Sequence, residues 1–97
     1  MINWEQKIEL VKSINNKDFA EIEKFVDTNI ENFDCQAWDM FALTTLTCDK
    51  YSKGFFDKVK THYKKAYESG LLNNLSMRSA IRLEMAFGDE REVKDDQ

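Results

Sequence analysis

Ninety-seven residues, 42% of them apolar and 33% charged, with three glycines and no proline, describe one domain that favours helices over a turn-rich β architecture. The net charge of −4 argues against general nucleic-acid affinity, which needs a basic footprint, and is compatible with a basic protein partner. The opening "MINWEQK" lacks the basic flank and apolar stretch of a signal peptide, and the longest apolar run, "MFAL" at 40–43, is far too short to span a membrane, so cytoplasmic residence with two free thiols is the expectation.

The first predicted helix runs from about Trp4 to Ile14, capped by Asn3 with Gln6 as the reciprocal partner three residues on. Trp4, Ile8 and Val11 recur at i, i+4 and i+7 and share one face. The second starts at Asp18, which forms a capping-box pattern with Glu21. Phe19, Ile22, Val26, Ile30 and then Phe33 make the cleanest apolar stripe in the chain.

Beside that stripe, Glu23, Asp27 and Glu31 stand at i, i+4 and i+8, with Asp34 just beyond. Like charges so spaced cost a helix about 0.2–0.5 kcal/mol per pair. A negative ridge that meets a basic partner explains the arrangement. The bland alternatives are neutralisation inside the fold by Lys60 and Lys64, or simple solvation.

The third predicted helix, "DCQAWDMFALTTLTCD" at about 34–48, is apolar nearly all the way round and reads as a buried central helix. "TTLT" alone suggests a strand, but a run this long without alternation favours a helix. Cys35 and Cys48 lie thirteen residues apart, about 20 Å along one helix, too far for a disulfide.

The fourth helix, 53–67, gathers the positive charge of the chain and its only histidine. Phe56, Val59, Tyr63, Ala66 and Tyr67 share a face, and Gly70 stands at the C′ position with Leu71 after it. Lys53, Lys60 and Lys64 flank that face on one side, while Lys58 and Lys65 lie opposite. This distribution, with no arginine, reads as a solvated face rather than a phosphate site. If helices three and four form a tight hairpin around Tyr51, His62 falls level with Asp39 as a structural pair, and both cysteines are too distant for a nucleophilic dyad. Phe19, Ile22, Val26 and Ile30 also match Phe56, Val59, Tyr63 and Tyr67 at a constant offset of 37, an echo expected of two stacked hairpins or of any two amphipathic helices.

The fifth helix runs from about Ser76 to Phe87 and stops at Gly88. Arg78 and Arg82 adjoin Met77, Ile81 and Met85, a composition enriched at protein interfaces. Glu84 interrupts the apolar arc, so the helix either docks a partner or a second copy, or caps the fold with its arginines in water.

The expectation is an all-α fold: four to five short helices as an irregular bundle or a two-hairpin solenoid around the helix at 34–48, comprising one domain at 1–88 and a solvated acidic tail at 89–97. No spacing of Cys, His or acids suggests a metal or catalytic site, and no glycine-rich loop suggests a nucleotide, so no cofactor is expected. The expected role is a non-catalytic protein-binding module: an acidic inhibitor or regulator, of the type of immunity proteins, antitoxins and phage-encoded inhibitors, that blocks a basic surface on a toxin, nuclease or other partner. Candidate contact residues are Glu23, Asp27 and Glu31, and Met77, Arg78, Ile81, Arg82 and Met85. A homodimer through the last helix is compatible with the pattern. The rivals are an RNA-binding helical-repeat fragment that uses the lysines of 53–67 with Tyr63 and Tyr67, and a small subunit or assembly factor of a larger complex.

Overall fold

The computed structural model describes residues 2–44 and 51–88. Five helices follow in order: α1 Trp4–Asn15, α2 Phe19–Asn29, α3 Cys35–Phe41, α4 Lys53–Ser69 and α5 Met77–Phe87, with a single 3₁₀ turn, Ile30–Asn32, extending α2. No strand occurs among the described residues, and the helices pack as an irregular all-α bundle.

Each helix begins where a short polar side chain accepts the amide three residues on. Asn3 accepts from Gln6 (2.9 Å), Asp18 from Glu21 (3.3 Å), Asp34 from Ala37 (2.9 Å), Ser52 from Phe55 (3.3 Å) and Ser76 from Ser79 (3.2 Å). Gln6 Oε1 accepts the Asn3 amide in return at 2.8 Å, completing the box at α1. Each such cap contributes about 1 kcal/mol.

Two helices also end alike. At α4, Leu71 N–H donates to the Ala66 carbonyl (3.1 Å) and Gly70 N–H to that of Tyr67 (3.3 Å). At α1, Asp18 N–H donates to Ser13 (3.0 Å) and Lys17 N–H to Ile14 (3.1 Å). This pairing needs a left-handed residue at its corner. Gly70 takes that position at φ 84° and Lys17 at φ 55°.

The core is an aromatic cluster. Trp38 and Phe41 of α3 are fully buried. Trp38 meets Phe33 edge-on at 5.5 Å and Tyr63 of α4 at 6.1 Å, while Phe41 stacks on Phe87 of α5 at 5.9 Å. Ile22, Val26, Ile30 and Phe33 join them, as the stripe of α2 anticipates, with Phe19 packed at the edge.

Three faces differ from the pattern in the sequence. On α1 the buried positions are Lys7 and Leu10, with Ile2 and Ile14 alongside, and Trp4 and Ile8 are exposed. The reason is Lys7, whose ammonium donates to Asp34 Oδ2 and Gln36 Oε1, both at 2.8 Å. A side-chain pair this deeply placed turns α1 about its axis, because a buried charge must face its partner.

On α4 the buried residues are Phe55, Val59, Tyr63 and Ala66; Phe56 is half-buried and Tyr67 turns outward. The α3 helix spans seven residues rather than 34–48 and is followed by a single helical turn at 42–44, where Leu43 is exposed. Within the described residues the α-helix is a short plug of large side chains. Residues 45–48, with Cys48 and most of "TTLT", lie outside the described residues, as does the tail at 89–97.

Candidate functional site

Helix α5 carries two apolar stripes. Ser79, Leu83 and Phe87, at i, i+4 and i+8, are buried. Met77, Ile81 and Met85 repeat the same spacing two residues out of step, which places them about 200° away, on the opposite side. They are 79%, 52% and 83% exposed.

Next to this outer stripe a cavity of about 350 Å³ opens between the C-terminal half of α4, the turn at 70–75 and α5. Tyr67, Leu72, Leu75, Ala80, Ile81 and Met85 line it, with Tyr63, Asn73 and Glu84 as its polar members. The Gly70 corner makes the cavity: it ends α4 and brings "LLNNL" under the tyrosines, with Leu72 buried and Leu75 packed against the core. A size of 300–1,000 Å³ with apolar walls and few polar groups is typical of ligand and anchor sites.

Tyr63 O–H donates to Glu84 Oε1 at 2.7 Å across the α4–α5 seam. Burial, then the hydrogen bond to the carboxylate and its charge, push the Tyr63 phenol far above its ordinary value, so it stays a donor. The Tyr67 ring lies 6.1 Å from that of Tyr63, tilted by 47°, and is 60% exposed. Glu84, which looks out of place in the apolar arc of the sequence, is thus the acceptor for a buried hydroxyl.

The other candidate set faces a different part of α4. Glu23 Oε1 accepts the Ser52 amide at 3.0 Å, ahead of the first turn of α4. Lys58 Nζ donates to both Asp27 Oδ1 and the Asp27 carbonyl, each at 2.9 Å. Two of the three ridge carboxylates therefore hold α2 to α4, with Lys58 in the role the sequence offered to Lys60 and Lys64. Glu31 is exposed and lies near enough to His62 to favour its protonation. Burial, with Lys65 and Lys58, outweighs that effect and holds the His62 pKa below its usual value.

The expected Asp39–His62 pair is not made: Asp39 Oδ1 accepts from Ser76 Oγ at 3.4 Å instead, joining α3 to the start of α5. Arg78 is exposed and Arg82 half-buried, and neither lines the cavity. Sequence reasoning assigned Tyr67 to the core and missed the Tyr63–Glu84 bond. The clues were an acid inside an apolar arc and the leucines after Gly70.

Among the described residues no cluster of His, Cys, Asp and Glu could hold a metal ion, and no helix is long and apolar enough to cross a membrane. No family model, curated protein or solved structure matches the chain.

Proposed function

We propose that this chain is a non-catalytic protein-binding module that receives its partner on the outer stripe of α5 and the adjoining cavity. The observation that carries the reading is that Met77, Ile81 and Met85, with Tyr67, form one contiguous solvent-facing apolar strip beside an apolar cavity. Such strips on small domains mark interaction sites, and helix-in-groove docking reads them as regularly spaced anchors. Within that class the role is an inhibitor or regulator of a partner with a basic surface. The net charge of −4 and the acid that lines the cavity support this choice.

Two facts weigh against the RNA-binding alternative. Tyr63, one of its two stacking rings, is buried, and Lys58, one of its cations, is held by Asp27. The test is capture of the partner from the native cell with wild-type chain, Ile81→Asp and Met85→Asp, each first shown to melt as a folded helical protein. The variants lose the partner if the strip is the site. Full retention by both ends the reading.

A further inference from the structure

Glu84 is the only carboxylate that lines the cavity, and among the described residues no lysine or arginine pairs with it. The cations of α4 that have recorded contacts are used elsewhere: Lys58 pairs with Asp27, and Lys60 Nζ lies 5.8 Å over the Phe56 ring. The Tyr63 hydroxyl uses one acceptor position of Oε1. A carboxylate offers about four such positions, and Oε2, which lies against Gly88, makes no hydrogen bond among the described residues.

Around it stand the exposed Tyr67 ring and the side chains of Leu75, Ile81 and Met85. An apolar sleeve that ends in a carboxylate beside an aromatic ring is complementary to a basic side chain. The methylene stem packs on the walls and the exposed Tyr67 ring, and the cationic head meets the charge.

We infer that the cavity takes an arginine or lysine side chain from a helical segment of the partner protein, with its cationic head on the Glu84 carboxylate and its stem between Tyr67, Leu75 and Ile81. This rests on the docking reading and specifies its chemistry. The flanking residues of the partner segment are apolar, because they lie on Met77, Ile81 and Met85. The basic anchor also assigns the acidic recognition element of this protein to α5 and not to the ridge of α2, whose Glu23 and Asp27 are engaged within the fold.

N-hexylguanidinium and its neutral isostere N-hexylurea separate charge from shape. Each is titrated into the full chain, and amide shifts are followed by two-dimensional NMR. The expected result is that the amides of Tyr67, Ile81, Glu84 and Met85 move, with a Kd about tenfold lower for the guanidinium than for the urea. In Glu84→Gln that preference shrinks to less than about twofold. In Glu31→Gln, which removes an exposed carboxylate outside the cavity, it persists.

Equal affinity for the two probes, or a preference that survives Glu84→Gln, overturns the basic anchor while leaving an apolar docking site. Amide shifts confined to other faces, or none, also overturn it, and the docking reading is then judged separately by the capture experiment with Ile81→Asp.

Discussion

The two ends of the molecule are built by the same devices and finished differently. In the α1–α3 end, side-chain charges are spent on joining helices: Lys7 reaches Asp34 and Gln36 in the interior, and α2 holds α4 through Glu23 and Asp27. In the α4–α5 end a single polar bond among the described residues, Tyr63 to Glu84, crosses the seam, and the apolar stripe beside it is exposed. The difference teaches that acidity by itself does not mark a binding surface. The most conspicuous acids join helices, and the acid that lines the cavity is a lone glutamate on α5.

The largest expected effect lies in the α1–α3 end. Asp34→Ala leaves the Lys7 ammonium buried without its charged partner and removes the α3 cap, so it should cost about 3 kcal/mol in urea unfolding. Lys7→Met should cost less, because Asp34 keeps its cap and more of its water. If Asp34→Ala costs under about 1 kcal/mol, the contrast between the two ends fails. Leu10→Ala against Ile8→Ala tests the rotation of α1 itself: the first should cost about 2–4 kcal/mol and the second under about 1, because Leu10 is fully buried and Ile8 is exposed.

In the other end, Tyr63→Phe should cost about 2 kcal/mol, the size of a hydrogen bond to a charged acceptor. The paired helix ends give a smaller, two-signed comparison. Gly70→Ala should destabilise by about 1–2 kcal/mol, since Gly70 sits at φ 84° and an added Cβ would meet Asn73 Nδ2 at 3.3 Å. Lys17→Gly, at the same corner of α1, should stabilise by up to about 1 kcal/mol. Opposite signs confirm a shared geometry; like signs refute it. Least of all, Ile81→Asp should change the unfolding free energy by no more than about 0.5 kcal/mol while removing the proposed partner.

Acid titration sharpens the comparison further. Burial acts to raise the Asp34 pKa, but hydrogen bonds from Lys7 and the Ala37 amide, together with the charge of Lys7, outweigh it and leave the pKa below 3.8. A carboxylate depressed on folding stabilises above its unfolded pKa, and that stability is lost as pH falls through the folded value. Asp34 therefore weakens the fold below about pH 4. His62 is also depressed, so its protonation opposes folding as pH falls through about 6.5 and below. Both act in the same direction, and a melting series from pH 7 to 3 should decline as pH falls through about 6.5 and again below about pH 4. In Asp34→Asn the lower part of that decline should flatten.

The helix count, the starts of all five helices and the α2 stripe were legible because they depend on local signals: a capping residue, then apolar positions three and four apart. The face of α1 was not, because its inward position is a lysine, which any hydropathy pattern assigns to water. Its partner lies 27 residues away, where no local rule finds it. Tyr67 was misplaced for a related reason. It follows Tyr63 by one turn, but it falls just outside the arc of α4 that Phe55, Val59, Tyr63 and Ala66 bury. The outer stripe of α5 was legible as composition and gained its meaning only from the cavity beside it.

The two indole rings sit in opposite surroundings, Trp4 at 62% exposure on α1 and Trp38 at 1% in the aromatic centre. The chain thus carries two intrinsic fluorophores that answer different questions. Iodide should quench the red-shifted emission of Trp4 and leave the blue-shifted emission of Trp38. Replacing Trp4 with phenylalanine would leave a single buried lamp, dimmed or shifted only when the interior opens.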